Sequence, residues 1–176
     1  MLTLPPIPSW EAIHPLIVHF PIALLLIAPL FIVIGLVRKP ERSFPFLLVA
    51  LILMALGTLS TFVAASSGEA AAELAGNALQ VKAVLEQHED LAETTEIAFS
   101  ALTLVFAAIL FVPKLLKREP ARAISTILPL VFLVFYATGA ISLANTAHQG
   151  GRLVHELGVR AQIQPGAAAI ESAKRE

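Results

Sequence analysis

Four long stretches of this chain carry no Asp, Glu, Lys or Arg. They cover about 14–37, 44–67, 97–113 and 123–147, and the third extends back to about 91 if its polar first turns are counted. About 20 apolar residues in a helix cross the ~30 Å of a bilayer's hydrocarbon core. The pattern therefore predicts an all-α membrane protein, a four-helix bundle with spans over about 14–37, 44–67, 91–113 and 123–147. Residues 1–159 form one transmembrane domain in this reading, and 160–176 an exposed tail.

The connections between the spans are unequal. Two are short and basic, one holding Arg38, Lys39 and Arg42, the other Lys114, Lys117, Arg118 and Arg122. The middle one, 68–96, holds Glu69, Glu73, Glu86, Glu89, Asp90, Glu93 and Glu96 against a single Lys82. Basic loops stay in the cytoplasm. Both termini and the acidic connection are thus expected outside, on the periplasmic side of a bacterial inner membrane. The acidic connection is rich in Ala, Leu, Glu and Gln, which favour helices. A short surface helix is expected over 69–74, then a helix from 77 that runs through His88 into the third span.

Composition agrees with this class. Hydrophobic residues make up 57% of the 176 and charged residues 14%, against about 25% charged in soluble domains. Mean hydropathy is +0.80. Cysteine is absent, which excludes disulfides, thiolate ligands and cysteine-held iron–sulfur clusters. No charge pattern points to nucleic acid. The N-terminus lacks a basic n-region and is read as mature sequence.

The candidate chemistry is histidine. With this topology His14, His19, His88, His148 and His155 all fall at the outer rim of the bundle. Histidine is the commonest metal ligand, and ionisable groups at membrane depth are usually functional. His14 and His19 are five residues apart and share a helix face poorly. Pro21 and Pro29 lie inside the first span and should bend it, and a bend at Pro21 would turn His19 toward the bundle axis.

The outer half of three spans is built from small residues: Thr61, Ala64, Ala65 and Gly68; Ala98, Ser100 and Ala101; Gly139, Ala140, Ser142 and Ala144. Small residues permit close helix packing, and they also leave room for a flat cofactor. Haem b between facing helices is the leading expectation, since two neutral imidazoles bind its iron axially. His19 and His88 are the expected axial pair, with His14 and His148 supporting a second haem or hydrogen-bonding behind the ligands. Arg152 and Arg160 are the expected propionate partners. A zinc or copper site is the chemical rival, drawing on His14, His19, His88, His148 and His155, with Glu86 or Glu89 adding a carboxylate. Tyr136, near the middle of the fourth span, reads as packing, or as a redox-active phenol beside a cofactor.

The run His14-Pro15-Leu16-Ile17-Val18-His19-Phe20-Pro21 resembles the opening motif of the DUF2231 family of bacterial membrane proteins. Ser67-Gly68, His88-Glu89 and His148-Gln149-Gly150-Gly151-Arg152 resemble its later motifs. The resemblance covers about residues 10–159. It implies four spans, kinship with haem-carrying membrane cytochromes, and His14, His19, His88 and His148 as candidate ligands. The closing segment departs from the family's pattern, with Leu157 where a histidine would stand and His155 where a tyrosine would.

The sequence thus reads as a haem b electron-transfer protein of the membrane, an electron carrier or redox-complex subunit rather than an independent enzyme. Its partners would be lipid and an outer-face electron carrier or a membrane complex. The alternative is a cofactor-free accessory subunit of a larger respiratory or photosynthetic assembly.

Overall fold

The computed structural model describes residues 8–75, 78–117 and 122–159. The tail beyond 159, with Arg160, lies outside the described residues. So do Arg118 and the Gly76-Asn77 pair. Five helices follow one another: α1 (Trp10–Ile17), α2 (His19–Val37), α3 (Pro40–Ala72), α4 (Leu79–Leu115) and α5 (Arg122–His155). No strand occurs among the described residues. With no water in a bilayer to satisfy main-chain groups, chains this apolar close their hydrogen bonds within helices.

Four helical stretches are long and apolar enough to cross a membrane: Trp10–Val37, Glu41–Ala72, Leu79–Leu115 and Thr126–His155. Only 22–28% of each apolar window is buried inside the bundle. The remaining aliphatic surface, such as Leu104 and Val134, suits lipid contact.

The first span is interrupted at Val18. Pro21 has no N–H for the carbonyl of Ile17, so the ladder fails there. The short separate helix expected over 69–74 does not form. Instead α3 continues without a break through Ser67 and Gly68 to Ala72. Gly68 is tolerated mid-helix, and Ala70, Ala71 and Ala72 favour continuation. The helix through His88 forms as expected, beginning at Leu79. The last helix runs further than its apolar stretch, through Gly150 and Gly151 to His155.

The core lies toward the middle of the bundle. Leu25, Ala28, Ile32, Ala50, Met54, Phe99 and Phe106 are fully buried. Phe99 meets Tyr136 edge-on at 5.4 Å, and Phe106 stacks on Phe132 at 4.9 Å. The Tyr136 hydroxyl donates to the Leu25 carbonyl at 2.5 Å and ties α5 to α2. Helices α2 and α3 approach closely at Gly57, where a Cβ would stand 2.7 Å from Leu25 Cδ2. At the end with the short loops, Lys114 Nζ lies 2.9 Å over the Phe44 ring, and Arg38 lies 5.6 Å over Phe46. The helices alternate in direction, so this basic end is opposite the end that carries His14 and His88.

Candidate functional site

A cavity of about 840 Å³ opens at the histidine-bearing end, among α1, α3, α4 and α5. Volumes of ~300–1,000 Å³ are typical of small-molecule and cofactor sites. Two histidines line it, His14 from α1 and His88 from α4.

Each ring is anchored the same way. His14 Nδ1–H donates to the Ala64 carbonyl at 2.9 Å, with Ser67 Oγ at 3.2 Å. His88 Nδ1–H donates to the Thr146 carbonyl at 2.9 Å. A carbonyl oxygen only accepts, so Nδ1 holds the proton, and the neutral ring keeps its lone pair on Nε2. Among the described residues neither Nε2 has a hydrogen-bond partner, yet no buried side-chain nitrogen or oxygen is left unsatisfied. Both Nε2 atoms therefore open to accessible space, and the cavity is the space that both rings line.

Two glycines make room for the rings. A Cβ on Gly68 would lie 2.9 Å from His14 Cε1, and one on Gly150 would lie 3.1 Å from His88 Cε1. Behind His88, Thr95 Oγ1 bonds Ser142 Oγ at 2.8 Å and Thr146 Oγ1 at 3.0 Å, which fixes α4 to α5 beside the anchor. The walls include Ala64, Ala65, Ala92, Ala147 and Leu143. The rim is acidic, with Glu11, Glu69, Glu73, Glu89, Asp90, Glu93 and Glu96, and among the described residues no Lys or Arg lines it.

The other candidates lie elsewhere. His19, His148 and His155 are exposed and line no part of the cavity. His88 thus shares its cavity with His14, where the sequence reading pairs it with His19. The break at Val18 separates His14 from His19 and leaves only His14 over α3. Arg152 is held by Glu156 Oε2 at 3.0 Å and Gln149 Oε1 at 3.0 Å, away from the cavity. Tyr136 is packed among aromatic rings below it. Among the described residues, no group of three or more His, Asp or Glu side chains is placed to hold a metal ion. The convergence of three or four ligands expected for a protein-held zinc or copper site does not occur among the described residues.

The model of the predicted membrane proteins called DUF2231 matches residues 11–162. The chain belongs to the DUF2231 family. The match takes in all four spans, both anchored histidines and both glycines. No curated protein matches the chain, and no solved structure does.

Sequence reasoning missed the two carbonyl anchors and the ring clearance at the glycines. A signal for both was present. Ala64-Ala65-x-x-Gly68 and Thr146-Ala147-x-x-Gly150 share their alanine and glycine at matching positions.

Proposed function

We propose that this DUF2231 chain is a membrane electron-transfer protein that holds haem b between His14 and His88. One observation carries the reading. Both imidazoles spend Nδ1–H on main-chain carbonyls, both keep an Nε2 lone pair without a partner among the described residues, and both rings line one cavity. A ligand that meets two such lone pairs must be a Lewis acid or a hydrogen-bond donor. An anion would meet repulsion from them and from the carboxylate rim.

The donor set fits the axial requirements of a haem iron, and ligating histidines typically donate their other N–H to a carbonyl or carboxylate. Bound haem would supply one-electron exchange. The chain's own residues ligate, orient the rings and line the site with apolar surface. Among the described residues the rim offers propionates no cation, since Arg152 is engaged with Glu156. They would therefore take their hydrogen bonds from water at the open mouth.

The topology follows from charge. Arg38, Lys39, Arg42, Lys114 and Lys117 gather at the opposite end, which by the positive-inside rule is cytoplasmic. The cavity then opens on the periplasmic side of a bacterial inner membrane. Its electron partner there would be an outer-face carrier or a neighbouring membrane complex.

The acidic rim, which would attract cations, favours a second reading, a single divalent cation taken by the two imidazoles with water completing its shell. An absorption spectrum and elemental analysis of the purified full-length protein separate the readings. A Soret band of bis-histidine type, lost in His14→Ala and in His88→Ala, is expected. Zinc or copper without iron would replace haem by the small cation. A colourless, metal-free protein that co-purifies with a larger complex would leave the accessory-subunit role.

A further inference from the structure

The cavity is bounded by two helical hairpins that carry one device twice. In the first, His14 on α1 reaches the carbonyl of Ala64 on α3, 50 residues on. In the second, His88 on α4 reaches the carbonyl of Thr146 on α5, 58 residues on. Four residues past each carbonyl, about one helical turn, stands the glycine whose missing Cβ gives the ring its place. Helix α1 packs on α3 and α2, and its backbone does not approach α4 or α5 closely. The two rings are thus brought to the same cavity by separate hairpins.

The equivalence ends one residue before the glycine. Ser67 stands at 3.2 Å from His14 Nδ1. Its counterpart is Gln149, which instead donates to Gln87 Oε1 at 2.7 Å and accepts from Arg152 at 3.0 Å. The carbonyl anchor and the glycine are what the two hairpins share.

We propose that the cavity is a duplicated site, in which matched hairpins each supply an equivalent imidazole to one ligand and Gly68 and Gly150 are the positioning residues that set each ring's plane. This rests on the reading of His14 and His88 as ligands and narrows it. Two equivalent donors with no third would suit a centre that brings its other ligands with it. A tetrahedral ion needs two further protein donors, and no third His, Asp or Glu is grouped with the pair among the described residues.

A Cβ at Gly68 forces the His14 ring to shift, because a 2.9 Å approach to Cε1 is below any ordinary contact. At Gly150 the 3.1 Å approach is tight, and the His88 ring must give by a few tenths of an ångström. Gly151, beside it, has nothing within 4 Å, so Gly151→Ala is the matched control.

The first measurement uses the full chain in detergent without added cofactor. Nitrogen-15 spectra of the histidines should show Nδ1–H tautomers at His14 and His88, unlike the three exposed rings. Gly68→Ala should move only the His14 signals and Gly150→Ala only those of His88. The second measurement adds haemin. Both alanine variants should alter the low-spin g-values, which report ring orientation, and weaken haemin binding by about tenfold, the usual lower scale for groups that orient a ligand. Gly151→Ala should match the wild type. If Gly68→Ala does not fold, Gly150→Ala carries the test.

The duplicated site is overturned if only one of the two rings shows the Nδ1–H tautomer, or if Gly150→Ala leaves both measurements unchanged. Haemin that binds with His14 removed but not with His88 removed also overturns it, and leaves haem binding itself in place. Matched tautomers and glycine effects without haemin binding support the paired anchors and instead overturn the haem reading.

Discussion

The hydroxyl of Tyr136 supplies the hydrogen bond that Pro29 cannot. Pro29 stands four residues beyond Leu25 and has no N–H, so the Leu25 carbonyl lacks its helical partner. Tyr136, from the last helix, donates to that carbonyl at 2.5 Å in a fully packed interior. A helix defect in the first span and a phenol in the fourth thus complete each other, 111 residues apart in sequence.

Tyr136→Phe should therefore destabilise the bundle by about 1–3 kcal/mol, the usual cost of orphaning a buried acceptor. In a Pro29→Ala background the helix can supply its own donor, and the same substitution should cost clearly less. A double-mutant cycle of unfolding in detergent measures the difference. Equal costs in both backgrounds would mean that the carbonyl is not what Tyr136 satisfies.

The exposed histidines should be dispensable for cofactor binding. His19→Ala, His148→Ala and His155→Ala should each retain the Soret band, while His14→Ala and His88→Ala lose it. Haem content per chain in the five purified variants reads this directly. Loss of the band in His19→Ala alone would restore the pairing suggested by the sequence.

Gly57 should not accept a side chain. Its added Cβ would stand 2.7 Å from both Leu25 Cδ2 and Leu25 Cγ, and Leu25 is fully buried. Overpacking of this kind costs about 1–3 kcal/mol. Thermal unfolding of Gly57→Ala should show that loss, and Gly151→Ala should show none.

The absence of cysteine makes the topology measurable. In intact bacteria a membrane-impermeant thiol reagent should label His155→Cys and miss Lys39→Cys until the membrane is opened. The reverse pattern would turn the cavity toward the cytoplasm.

The four spans and the gathering of histidines at one end are legible in the sequence because charge-free runs are long and sharply bounded. Which histidines face the cavity is not. His14 and His19 belong to one apolar run on different helix faces, and only the packing of α1 on α3 decides that His14 is the one that reaches Ala64. Gly68 reads as a stop in the sequence, yet it sits inside a continuous helix because its role is to clear a ring. Arg152 looks free for a ligand, but Glu156 is four residues ahead on the same helix face and holds it.

The discontinuity at Val18 also sets how the site is entered. The eight residues of α1 form a separate wedge seated on α3, with His14 at its centre. With the Ile17 rung missing, α1 is tied to α2 less firmly than an unbroken helix would be. Deuterium uptake at its amides should accordingly exceed that of α2 in the empty protein and fall when haemin is added. Equal, unchanging uptake in both helices would point to a rigid wall and a different way in.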